Sequence, residues 1–189
     1  MKLHIIPALR LTLVCILFFC GIYTLLIWGI AQASPGKGEG ETVSANGKVV
    51  GYKLEGQNFS NDQYFWSRPS AVGYNAAGSG GSNKGPTNPD YLKDVTSRID
   101  SFLVHNKSVN RNDIPSELVT ASGSGLDPDI SRKAAFVQIA RVAKARGMSE
   151  ESVQAIVEKH IDQPLLGLMG TEKINVLSLN IDLDKSSAK

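Results

Sequence analysis

Twenty-one consecutive residues, Leu11 to Ala31, carry no charge, and a domain-sized remainder follows them. At about 1.5 Å rise per residue the run makes a helix of roughly 31 Å, enough to cross a hydrocarbon core of about 30 Å. Lys2 and Arg10 precede it, and Lys37 is the next basic residue after it. The positive-inside rule then keeps the N-terminus in the cytoplasm and puts residues 34 onward outside. Trp28 falls near the outer end, where an amphipathic ring suits the interface. Ala31-Gln32-Ala33 also fits a signal-peptide cleavage site. Signal h-regions run only about 7–15 residues, so length favours an uncleaved anchor. The expected organisation is a cytoplasmic N-terminus at 1–10, a transmembrane helix at 11–33, a linker at 34–42 and one extracytoplasmic domain at 43–189. The chain is thus expected in the plasma (bacterial inner) membrane, crossing it once.

Residues 34–189 number 156, enough for one domain with its own core. Removing Lys2 and Arg10 from the 20 Lys and Arg leaves 18, against 18 Asp and Glu. A formally neutral exported part has no broad basic surface for nucleic acid. Both cysteines, Cys15 and Cys20, sit inside the apolar run, so no disulfide is expected in the domain. Cys/His clusters of the structural-zinc kind are absent from the sequence.

The order of segments predicts an α+β domain. Ser34 to Thr42 is Gly-rich and polar, a flexible linker. Val49-Val50 and Tyr52 to Leu54 are weak strand pieces around Gly47 and Gly51. Asn58 to Pro89 has no periodicity; it opens on Tyr64-Phe65-Trp66 and runs into the small-residue stretch Gly78 to Gly85. So long a loop is uncommon in a compact domain, and its aromatic start predicts that it packs down there. Asn88-Pro89 reads as N-cap and first helical residue, opening a helix to about His105 with Tyr91, Leu92, Val95, Ile99, Phe102 and Leu103 as its stripe. A second helix is predicted from about Arg132 to Arg146, stopped by Gly147. A third is predicted from about Glu150 to Ile161, capped by Ser149 and stapled by Met148 onto Val153. Leu177, Leu179, Ile181 and Leu183 alternate with Val176, Ser178, Asn180 and Asp182, which predicts a half-buried strand.

Candidate chemistry is sparse. Gly78–Gly85 offers backbone N–H groups to a phosphate but lacks the P-loop spacing. Ser79-Gly80-Gly81-Ser82 faintly echoes the Ser-Gly-Gly core of the transporter signature loop. Ser122 and Ser124 lie in a Gly-rich turn, with His105 and His160 elsewhere. The turn does not satisfy G-x-S-x-G, yet a membrane-tethered extracytoplasmic serine hydrolase is the alternative reading. Asp127 and Asp129 flank Pro128; they offer too few oxygens for a calcium loop, and Asp127 equally suits nearby backbone N–H groups. Helix two, Gly147 and helix three outline a helix-turn-helix. Outside the cytoplasm its basic residues, Arg132, Lys133, Arg141, Lys144 and Arg146, read instead as a solvated face or partner surface.

One ordered series of fragments spans nearly the whole chain. After the N-terminal span come Tyr64-Phe65-Trp66-Ser67-Arg68-Pro69-Ser70-Ala71, Tyr74-Asn75, Ser79-Gly80-Gly81-Ser82-Asn83 and Asn88-Pro89. Then follow Pro115 to Ser122, Ser124 to Ser131, Ala134-Ala135, Gln138, Arg141-Val142-Ala143, Ala145-Arg146-Gly147, Asn175-Val176-Leu177 and Leu179-Asn180. In this order they resemble the C subunit of the Kdp-type potassium-transporting P-type ATPase; Asp129 departs from it, many members carrying His there. The resemblance implies a non-catalytic accessory subunit of a high-affinity potassium uptake pump. Its implied partners are an ATP-hydrolysing subunit and a potassium-channel-like subunit, besides membrane lipid. It implies no catalytic residue, no metal and no directly bound cofactor. An association with ATP comes from the family alone, as an indirect rise in the ATP affinity of the hydrolysing subunit. Arg68, Ser82 and Asn83, in the long loop, and Gln138 and Arg141, in the later fragments, are the expected partner contacts. Thr12, Gly21, Thr24 and Gly29 are the expected sites of close packing against pump helices.

Overall fold

The computed structural model describes residues 2–187, which divide into two compact units meeting at Thr42 and Val43. The first is helical: α1 (Lys2–Cys15), a π-helical stretch Ile16–Tyr23 and α2 (Thr24–Ala31). From His4 to Ala31 it is one apolar helix of 28 residues, a candidate membrane span by length and composition. The Thr24 hydroxyl donates to the Phe19 carbonyl at 3.0 Å, five residues back, at the end of the widened turns. A Cβ built on Gly29 would meet nothing, and one on Gly21 would meet only a Leu17 methyl at 4.0 Å. Thr12, Thr24 and Gly29 are exposed on this helix and Gly21 half-buried.

A hairpin opens at the boundary residue, β1 (Thr42–Ala45) and β2 (Lys48–Tyr52), and all of it but Thr42 belongs to the second unit. Asn46 and Gly47 turn it, both at positive φ (51° and 75°), the geometry that matches the twist of paired strands. Val49-Val50 and Tyr52 of the expected strand pieces thus lie in one strand with a partner, while Lys53 and Leu54 lie beyond its end in a turn. Residues 53–88 then run without regular structure except one 3-10 turn, Ala76–Gly78. Next is α3 (Pro89–His105), whose Asn88 side chain accepts the Tyr91 N–H at 3.1 Å as a cap. Of its expected stripe only Phe102 is fully buried, and Leu92 is exposed.

β3 (Asp129–Ile130) pairs antiparallel with β4 (Ile174–Asn175), Ile130 opposite Ile174. Between them lie α4 (Arg132–Phe136), α5 (Ile139–Arg146) and α6 (Glu150–Lys159), and α7 (Val176–Ser187) closes the fold. Ser131 and Ser149 cap α4 and α6, and Gly147 ends α5 at φ 67°. The core joins Ala134, Ala135, Val142, Val153, Val157, Leu179 and Leu183 of these helices to Phe65, Phe102, Ile130 and Ile174. The α+β class holds, but the sheet is reduced to two short two-stranded ladders among the described residues.

Two sequence expectations are corrected. The helix expected over 132–146 is two helices. The Gln138 side chain takes the Ala134 carbonyl at 3.0 Å, the acceptor its own backbone N–H would use in a continuous helix; that N–H turns to Ala135 instead. The strand expected over 176–183 is helix α7. Val176, Leu177, Leu179, Asn180 and Leu183 are all buried, a helical stripe that alternation cannot produce. Period two placed Val176 and Asn180 toward solvent; helical packing turns both inward. Asn175, whose side chain accepts the Ser178 N–H at 3.0 Å, starts the helix.

Candidate functional site

The irregular segment is pinned by side chains standing on the helices behind it. Phe65 is fully buried, and both its backbone groups bond to Asn180 of α7. Its N–H donates to Oδ1 at 2.8 Å and its carbonyl accepts from Nδ2 at 3.0 Å. The next N–H, that of Trp66, donates to Gln138 Oε1 at 2.8 Å. An amide side chain presents a donor and an acceptor side by side, so each works as a one-residue substitute for a neighbouring strand.

Arg141, one turn beyond Gln138, completes the clamp. Nη1 donates to the carbonyls of Asp62 (2.7 Å) and Tyr64 (3.0 Å), Nη2 to Gln138 Oε1 (2.6 Å) and Nε to Asn106 Oδ1 (3.0 Å). Its guanidinium stacks on Trp66 at 4.3 Å from the ring centre. Burial lowers its pKa to about 10, with the Asp62 carboxylate opposing, so the group stays cationic at neutral pH. Arg146 repeats the arrangement nearer the surface. It donates to the Gln63 carbonyl at 2.6 Å, lies over the Tyr64 ring and pairs with Asp184 at 2.8 Å. Burial first, then Asp184, raises the pKa of the Tyr64 phenol.

Further along, Arg68 pairs with Asp127 at 2.8 Å and Tyr74 donates its hydroxyl to the Arg68 carbonyl at 2.8 Å. The Gly80 N–H donates to the Ser124 carbonyl at 2.8 Å, and the Ser122 N–H to the Pro69 carbonyl at 3.1 Å. Gly125 makes this approach possible: its φ is 69°, and a Cβ there would lie 2.6 Å from a Val72 methyl and 2.8 Å from the Gly80 carbonyl oxygen. Beside the clamp a cleft of about 320 Å³ is lined by Phe59, Trp66, Tyr74 and Phe102 together with Arg98 and His105.

The expected contact residues are therefore dispersed. Gln138 and Arg141 meet, but inside, with their polar atoms engaged by their own chain. Arg68 is partly exposed and paired, while Ser82 and Asn83 are exposed on the following loop. Sequence reasoning missed Asn180 and Asn106 and placed Arg146 only among the basic residues of an outward face. The signal for the first was present, a lone amide within an apolar helical stripe, but the strand reading concealed it. The solvated face or partner surface expected from the basic residues of 132–146 is corrected for Arg141 and Arg146, which fold inward onto carbonyls of their own chain.

The hydrolase alternative gains no support. His105 pairs with Asp62 at 2.7 Å, and His160 bonds to the Ile156 carbonyl at 2.9 Å. No hydrogen bond among the described residues joins either histidine to Ser122 or Ser124. Asp127 receives the Asp129 N–H and the Arg68 guanidinium, and Asp129 receives Lys173 at 2.9 Å. Both carboxylates are thus neutralised by the chain's own cations.

Comparison with known proteins gives one consistent result. The family model described as K+-transporting ATPase, c chain, matches residues 5–185. A potassium-transporting ATPase KdpC subunit of Phocaeicola vulgatus is 55% identical over 186 residues, covering 97% of this chain and 98% of that protein. The protein of the same name from Flavobacterium psychrophilum is 54% identical over 182 residues, covering 96% and 98%. That from Geobacter metallireducens is 48% identical over 184 residues, covering 95% and 96%.

Proposed function

Because the chain belongs to the c-chain family of K+-transporting ATPases, we propose that it is the non-catalytic subunit that holds such a pump together and raises its performance at low potassium. The observation that carries this is the match along residues 5–185, almost the whole length. The geometry agrees in kind. The domain's most elaborate polar cluster, around Arg141, is spent on its own backbone rather than aimed at a substrate.

In this reading the apolar helix anchors the chain with its N-terminus in the cytoplasm, and Thr12, Gly21, Thr24 and Gly29 let partner helices approach closely. The domain sits outside as a scaffold at the potassium entrance. Arg68, Ser82 and Asn83 supply contacts to the potassium-channel-like subunit or the ATP-hydrolysing subunit, and Gln138 and Arg141 contribute by holding the segment that carries Arg68. Any rise in ATP affinity is then a coupling between distant sites, transmitted through the anchor or through assembly.

Deleting the gene and growing cells at micromolar potassium tests the proposal. Growth failure, with the other pump subunits no longer co-purifying, is expected. Normal growth together with normal assembly would overturn it.

A further inference from the structure

Between α6 and β4 the chain doubles back, and Leu165 and Met169 exchange backbone hydrogen bonds at 3.1 and 3.0 Å. On this turn Leu165 is 67% exposed, Leu166 81%, Leu168 89% and Met169 65%. No residue from Gln163 to Thr171 is charged. Leu166 also has φ 56°, with Gly167 following at φ 70°. A leucine in that left-handed region is uncommon, because its Cβ crowds the backbone; Asn or Gly would suit both the turn and water. The four side chains present on the order of 500 Å² of apolar surface, the size at which patches on soluble chains mark contact sites. That is over half of the roughly 800 Å² one partner gives to a standard interface.

We propose that the turn Pro164–Gly170 is a docking knob that seats in an uncharged apolar pocket on another subunit of the same ATPase. Charge decides between protein and bilayer. Segments that lie in the membrane interface typically carry Lys and Arg on their polar side and Trp or Tyr at headgroup depth. Here the turn has no aromatic residue, and its base carries Asp162, Glu172 and Lys173, a net negative collar. Lys173 is already engaged by Asp129 at 2.9 Å. An anionic lipid surface would repel that collar, and so would the same collar on a second copy of the chain. The inference deepens the accessory-subunit reading and rests on it.

The test replaces Leu168 by benzoylphenylalanine in the full-length chain, in cells carrying the whole pump, and irradiates the membranes. A covalent adduct containing peptides of another pump subunit is expected, with little adduct from the same probe at exposed Lys107. In parallel, the double variant Leu166→Ser, Leu168→Ser should lower co-purification of the other subunits about five-fold or more while the chain stays in the membrane at normal level. An adduct with lipid alone, with a second copy of this chain, or with nothing would overturn the proposal, as would unchanged co-purification. Failure here beside a deletion that still abolishes assembly leaves the accessory reading standing; a silent deletion removes that reading itself.

Discussion

The α4–α5 break and the Pro164–Gly170 turn invert the usual distribution of polarity in opposite senses. At the break a cation and three amides, Arg141, Gln138, Asn106 and Asn180, lie in the interior. On the turn three leucines and a methionine lie in water. The first inversion is resolved within the chain, since every buried donor of Arg141 meets an oxygen and its flat face meets Trp66. The second is not resolved within the chain. The contrast teaches that buried polarity can be wholly a matter of self-assembly, while exposed apolarity points outward to something else. A charge inside was the more dramatic feature, yet the plain leucines carry more information about partners.

Arg141→Leu should break the first half of the contrast most severely. The variant leaves the part-buried carbonyls of Asp62 and Tyr64 and the buried Asn106 Oδ1 without the Arg141 donors, so a loss of about 4 kcal/mol is expected. Urea unfolding of the full chain in detergent, followed by Trp fluorescence, measures it. A loss under about 1 kcal/mol would mean that the clamp is an ornament of a fold held by its apolar core.

Tyr74→Phe probes the same principle on a smaller scale. Losing the bond to the Arg68 carbonyl should cost about 1 kcal/mol at neutral pH. Burial raises the Tyr74 phenol above its ordinary 10.0, with Arg98 opposing. An unfolded chain ionises this tyrosine near 10.0 while the folded chain keeps its proton, so the wild type loses stability as pH rises through that value. The variant lacks this component. Its deficit should therefore shrink above pH 10, in unfolding curves taken across the alkaline range. A deficit that stays constant would place the phenol in a more aqueous setting than the fold indicates.

Leu166→Gly is the smallest effect and the sharpest sign test. Removing a Cβ from a left-handed turn while discarding exposed apolar surface should raise the stability of the isolated chain by about 0.5 kcal/mol. A lower unfolding temperature would show that Leu166 packs within its own domain, and the second half of the contrast would collapse.

Legibility in the sequence followed the locality of each signal. The long apolar helix, the Asn88 and Ser149 caps and the Gly147 stop were readable because each is decided by its own stretch of sequence. The α4–α5 break was not, because it turns on where one Gln side chain reaches, and that depends on Trp66, 72 residues away. Helix α7 was misread for a related reason. Its alternating apolar residues satisfy period two in isolation, and only the burial of Asn180 against Phe65 decides for the helix. The family was legible from ordered fragments, whereas the clamp those fragments build was not, since no single fragment contains it.

The clamp also sets a timetable. The two hydrogen bonds between Phe65 and Asn180 span 115 residues, so the segment that opens the domain's loop is fastened by α7. A chain growing from its N-terminus holds Trp66 and Phe65 ready long before α7 exists. Contacts of such separation come late and slow the closing step, since the intervening loop must be ordered first. Until α7 emerges, the Phe65 backbone lacks its Asn180 partner, and a chain ending before α7 would leave the start of the loop unfastened on that side.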